Sequence, residues 1–118
     1  MTFPERHAHL RELMTELARA APGPMSGFAR LHASSVTDGE LEPKVKELMA
    51  LAIAVAIHCE DCIAYHVHDA IAAGAGRKEI AETIGVAVMM GGGPAAVYGA
   101  RALAAAGEFD AATRTDRA

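Results

Sequence analysis

The stretch LMALAIAVAIHCEDCIAYHVH, residues 48–68, decides how the chain is read. Its first part, Leu48 to Ile57, is wholly apolar. A bilayer core needs about 20 such residues as helix, so this run reads as a buried core helix and not a membrane span. A helix that is apolar on nearly all sides normally lies centrally. His58 to Asp61 then form a polar corner, and a further helix is expected from about Glu60 to Ala73, ended by a cap at Gly74.

Working outward, Leu10, Leu13, Met14 and Leu17 recur at helical spacing, which predicts an amphipathic first helix from Pro4 to about Arg19. The prolines and glycines of APGPMSG (residues 21–27) break that pattern. FARLHASS is expected to form a short turn of helix with Phe28 and Leu31 inward, and TDGELEP a loop. Pro43 suits the first turn of the core helix, Pro43 to Ile57, where its missing N–H is not needed. A fifth helix follows Gly76, with Ile80, Ile84 and Val88 on one face, and GGGP (residues 91–94) interrupts it. A sixth is expected from about Ala95 to Ala106, and the polar tail, residues 108–118, is expected to fray or to lie as an arm over a neighbour. No alternating pattern or internal repeat is visible. The class is all-α, a multihelical bundle of about six helices in a single domain over residues 1–118.

Apolar residues make up 52% of the 118, with no Trp, so the core is aliphatic. So much aliphatic surface on a small domain suggests a homo-oligomer. The net charge of −4 and the lack of a basic cluster argue against nucleic acid or an anionic membrane as partner. The first residues, MTFPERHAHLRELM, carry charges where a signal peptide needs an apolar core, so a cytoplasmic location is expected.

Both cysteines fall in the opening stretch, as Cys59-x-x-Cys62. At helical spacing their Cα atoms lie roughly 5 Å apart, within disulfide reach. The pair sits where a helix should start, and the helix dipole there stabilises a thiolate, most of all at Cys59. Glu60 and Asp61 oppose this, because nearby negative charge raises a thiol pKa. His66 follows Cys62 by one turn and can take a thiol proton. Asp69 lies on the same stripe and could orient His66. Three readings stay open on spacing alone: a redox pair, two inert cysteines, or a metal site with His66 and either His58 or His68 added. Structural zinc usually joins two separated ligand pairs, which disfavours the last. His58 reads as a helix C-cap and His68 as exposed. Glu47 reads as a surface residue near Lys44 and Lys46. GAGR and GGGP lack the lysine and the preceding strand of a phosphate loop, and Met89 and Met90 read as core filler.

The segment LEPKVKELMALAIAVAIHCEDCIAYHVHDAIAAGAGRKEIAETIGVAVMMGGGP resembles the alkylhydroperoxidase D-like (AhpD-like) branch of the carboxymuconolactone decarboxylase superfamily. The likeness covers a motif core of residues 41–98. It rests on the register Glu47, eleven residues, Cys59, two, Cys62, three, His66, flanked by PKVKEL and GGGP. The resemblance implies an all-helical fold with one motif per subunit, completed by assembly as trimers or hexamers. It implies a thiol-dependent hydroperoxidase or disulfide reductase without metal, haem or flavin. In that family pattern Cys62 attacks the peroxide, Cys59 resolves, and Glu47 and His66 relay protons. Asp61 stands where the family's relay can include a histidine, so Asp61 and Asp69 are possible auxiliaries. The implied partners are an organic hydroperoxide and a dithiol reductant, thioredoxin-like or a lipoyl protein. Met89, Met90 and Tyr98 are candidate pocket neighbours. Two alternatives remain. One is a carboxymuconolactone decarboxylase-type enzyme, whose substrate carboxylates would need cations such as Arg77, Lys78 and Arg101. The other is a non-enzymatic redox- or metal-responsive module.

Overall fold

The computed structural model describes residues 1–117, with side chains through residue 114. Its six helices are α1 Phe3–Ala20, α2 Pro22–Val36, α3 Pro43–Ala56, α4 Glu60–Ala72, α5 Arg77–Gly91 and α6 Gly93–Arg117, and no strand occurs among the described residues. The all-α class holds. Helices α3 to α6 pack on one another, and α1 lies against α4 and α6. Leu51 and Val55 of α3, Ile63 and Val67 of α4 and Ile80 of α5 are fully buried at their centre. Burying each such side chain stabilises the fold by about 1.5–3 kcal/mol. Buried Ala95, Ala102 and Ala105 keep α6 close to its neighbours.

The corner between α3 and α4 is the local feature that positions the site. The His58 N–H donates to the Val55 carbonyl at 3.3 Å, and the Cys59 N–H donates to the Ala54 carbonyl at 3.0 Å. This is the Schellman closure of α3, and it puts His58 at φ 62°, in the left-handed region. His58 is therefore the residue after the C-cap, Ile57, and its ring stacks on Tyr98 at 4.8 Å. Cys59, which ends this closure, is also the N-cap of α4. The same closure recurs at the end of α4, where Gly74 takes φ 102° as the glycine reading expects.

Four expectations are corrected. APGPMSG does not separate α1 from a mere turn of helix: α2 begins inside it. Pro22 and Pro24 fall in the first turn, where no intrahelical N–H bond is lost, and the Met25 N–H makes the first bond, to Ala21, at 3.2 Å. Phe28 and Leu31 do not face inward but are exposed, since α2 buries no residue. The core helix α3 is not buried all round: Met49, Ile53 and Ile57, one turn apart, form an exposed apolar stripe. Met89 and Met90 are not core filler but are exposed on α5.

The tail departs further from expectation. Helix α6 runs on through it, and Phe109 is buried against His7 and His68. The Phe3 N–H donates to the Glu108 carboxylate at 2.6 Å, tying the two ends of the chain together. Residue 118 lies outside the described residues. No helix is long and apolar enough to cross a membrane among the described residues.

Candidate active site

Cys59 and Cys62 are joined as a disulfide, with Cα atoms 5.1 Å apart, close to the helical spacing expected. As N-cap, the Cys59 sulfur accepts the Cys62 N–H at 3.2 Å. The free N–H groups of a first turn stabilise negative charge on such a sulfur once the bond is reduced. Both cysteines are half-buried.

The acids between them are themselves neutralised. Arg6 of α1 bonds Asp61 at 3.1 Å and approaches Glu60 at 3.7 Å, and Arg101 of α6 bonds Glu60 from the other side. The negative field expected to disfavour a thiolate is thus met by two guanidinium groups.

Glu47 is the main departure from the residue-by-residue reading. It is no surface residue: only 5% of it is exposed. Its carboxylate lies 3.0 Å from His66 Nδ1. A buried carboxylate costs stability unless it is bonded, and His66 supplies the bond from the next helix. Asp69 does not orient His66, because Glu47 occupies that ring nitrogen. Asp69 instead bonds His68 Nδ1 at 2.9 Å. His68 is only part-exposed and stacks on buried His7 at 4.1 Å.

Two further residues join the site. Tyr65 and His32 meet edge to face at 5.8 Å. His32 Nε2 is buried without a hydrogen-bond partner, and the ring has a nitrogen within 4.8 Å of both the Glu47 and Asp69 carboxylates. Burial raises the Tyr65 pKa, and the charges of Asp69 and Glu47 raise it further. Tyr65 lies one turn beyond Cys62, so helical spacing flags it; His32 carries no such signal, since the short helical turn expected there was given Phe28 and Leu31 as its inward face.

The sulfurs open onto a cavity of about 500 Å³. Helix α4 contributes Tyr65 and His66 beside the cysteines, α1 adds Leu10, Arg11 and Met14, and α2 adds Phe28 and His32. Met89, Met90 and Tyr98 do not line it, nor do Arg77, Lys78 and Arg101. Arg101 is engaged with Glu60 and with the Tyr98 ring. The His58 ring stacks on Tyr98 and the His68 ring on His7, and the two groupings whose donor atoms converge among the described residues, His7–His68–Asp69 and His32–Glu47–Asp69, include neither cysteine.

The model of the carboxymuconolactone decarboxylase family matches residues 22–106. The chain belongs to that family. Carboxymuconolactone decarboxylase relatives share both its fold and its length. An uncharacterised protein of Cupriavidus necator is 41% identical over 88 residues, covering 75% of this chain and 78% of that one. The crystal structure of a family member from Legionella pneumophila superposes with a TM-score of 0.87 at 39% identity, covering 91% of this chain and 96% of the other. A family member from Thermotoga maritima, for which a part in the antioxidative response has been suggested, superposes with a TM-score of 0.84 at 26% identity, covering 95% and 96%.

Proposed function

We propose that this family member is a thiol-dependent reductase of organic hydroperoxides that cycles between the Cys59–Cys62 dithiol and disulfide. The observation that carries the reading is the Glu47–His66 pair, 3.0 Å apart, whose His66 lines the same cavity as the bonded cysteines while Glu47 is buried behind it. A redox pair needs a proton acceptor for the attacking thiol and a donor for the leaving alkoxide, and a carboxylate-backed imidazole serves both roles.

Cys62 is assigned as the attacking thiol, one helical turn from His66. Its thiolate attacks the terminal peroxide oxygen and the O–O bond breaks. The alkoxide takes a proton from His66 and leaves as alcohol, and Cys62 becomes a sulfenic acid. Cys59 then attacks the Cys62 sulfur, the S–OH bond breaks, and the Cys59 thiol proton joins the departing hydroxyl as water. One hydroperoxide and two thiols thus give one alcohol, one water and the disulfide. A dithiol protein of thioredoxin-like or lipoyl type returns both electrons by thiol–disulfide exchange. The whole chain acts as one domain in a cytoplasmic homo-oligomer, a trimer or hexamer. The exposed stripe of Met49, Ile53 and Ile57, with Met89 and Met90, supplies apolar surface for that assembly.

Peroxide consumption with dithiothreitol as reductant tests the reading. Cumene hydroperoxide turnover should be lost in Cys62→Ser and in Cys59→Ser. Turnover unchanged in both variants would overturn it.

A further inference from the structure

The cavity beside the disulfide is larger than the chemistry alone requires. Hydrogen peroxide is little bigger than water, which takes about 30 Å³ in the liquid. This cavity holds about 500 Å³ and is faced by Leu10, Met14 and Phe28, within the range of pockets that enclose small organic ligands.

Its charge balance is uneven. Each carboxylate on or near it is engaged: Asp61 by Arg6, Glu47 by His66, and Asp69 by His68. Arg6 and Arg101 are engaged by Asp61 and Glu60. Arg11 also lines the cavity, one turn from Met14, and makes no ion pair among the described residues. A guanidinium presents a planar fork of donors that matches a carboxylate.

We propose that the site selects hydroperoxides that carry a carboxylate on an apolar body, with Arg11 binding the carboxylate, the Leu10–Met14–Phe28 wall holding the body, and the peroxide directed to the cysteines. This rests on the peroxidase reading above and adds the substrate class to it. The reaction is unchanged: the O–O bond is reduced by the two thiols and the carboxylate takes no part in bond making. Arg11 determines specificity.

The test uses the full chain with dithiothreitol as reductant and a matched probe pair, para-carboxycumene hydroperoxide and its methyl ester. The ratio of their kcat/KM values reads the carboxylate contact and not the fold. The acid should be preferred about tenfold, as one charge-assisted contact allows. That preference should shrink with added salt, collapse in Arg11→Gln, and survive in part in Arg11→Lys. A ratio near one in the native chain, or a preference that persists in Arg11→Gln, would overturn the proposal while leaving the peroxidase reading intact. No turnover of either probe would instead overturn the peroxidase reading, and this inference with it.

Discussion

Glu47 of α3 and His66 of α4 lie 19 residues apart in the chain and meet with Oε2 and Nδ1 at 3.0 Å. Their contact depends on the corner between the two helices, where the left-handed His58 closes α3 and hands Cys59 to α4 as its cap. The same corner therefore sets the disulfide and the proton pair. If Glu47 serves the chemistry and not only the fold, two substitutions separate the roles. Glu47→Gln keeps a side chain able to bond His66, so the thermal midpoint should change little while kcat falls about 10²- to 10⁴-fold. Glu47→Ala should in addition cost about 1–3 kcal/mol, because His66 Nδ1 loses its partner. Full activity in Glu47→Gln would reduce the pair to a structural contact.

The order of attack is checked by trapping. With Cys62 as the attacking thiol, Cys59→Ser treated with one equivalent of cumene hydroperoxide should hold a sulfenic acid that dimedone labels on Cys62. Cys62→Ser should label weakly or not at all. Labelling of Cys59 in the second variant, with none in the first, would exchange the roles, in line with the helix-end electrostatics that favour ionisation of Cys59.

Stability should fall as the solution is acidified below about pH 6.5, in part through His7. Burial lowers the pKa of His7, and the neighbouring His68 lowers it further; Asp69 opposes this and Arg11 adds to it. The rings of Tyr65 and Phe109 also pack against His7. A histidine with a lowered folded pKa binds fewer protons folded than unfolded, so stability is full above the unfolded pKa and is lost as pH falls toward the folded one. Thermal melts between pH 7.5 and 5.5 should show a smaller decline in His7→Leu than in the native chain. An identical decline in the two would remove His7 from the account.

The C-terminal part of α6 is a working part of the core. Phe109→Ala should destabilise the chain by about 3 kcal/mol, and deletion of the residues after Gly107 by at least as much, since it also removes the Glu108 contact to the Phe3 N–H. Denaturant melts check this. An unchanged midpoint after the deletion would fit a frayed tail.

Much of the site could be read locally. Cys59, Cys62 and His66 share one helix, so their spacing carried most of their geometry. Glu47 could not be read that way, because among Lys44, Lys46 and a long apolar run a glutamate looks like the solvated end of a helix. Only the fold of α3 onto α4 buries it, against His66. Asp69 had the right spacing and the wrong partner, since a helix stripe does not show that another helix already occupies His66. Helix α2 was hidden by its own prolines, which break a helix in its interior but are at home in its first turn. With α2 went His32 and one wall of the cavity. The tail is polar in composition, yet Phe109 anchors it through His7 and His68, a contact made only when α1, α4 and α6 are together.

The central claim is a peroxide-driven dithiol–disulfide couple between Cys59 and Cys62, and the most direct measurement is thiol titration of the reduced protein before and after one equivalent of cumene hydroperoxide. Two thiols per chain should disappear and both should return with dithiothreitol. Two thiols that persist in the presence of the peroxide would contradict the account.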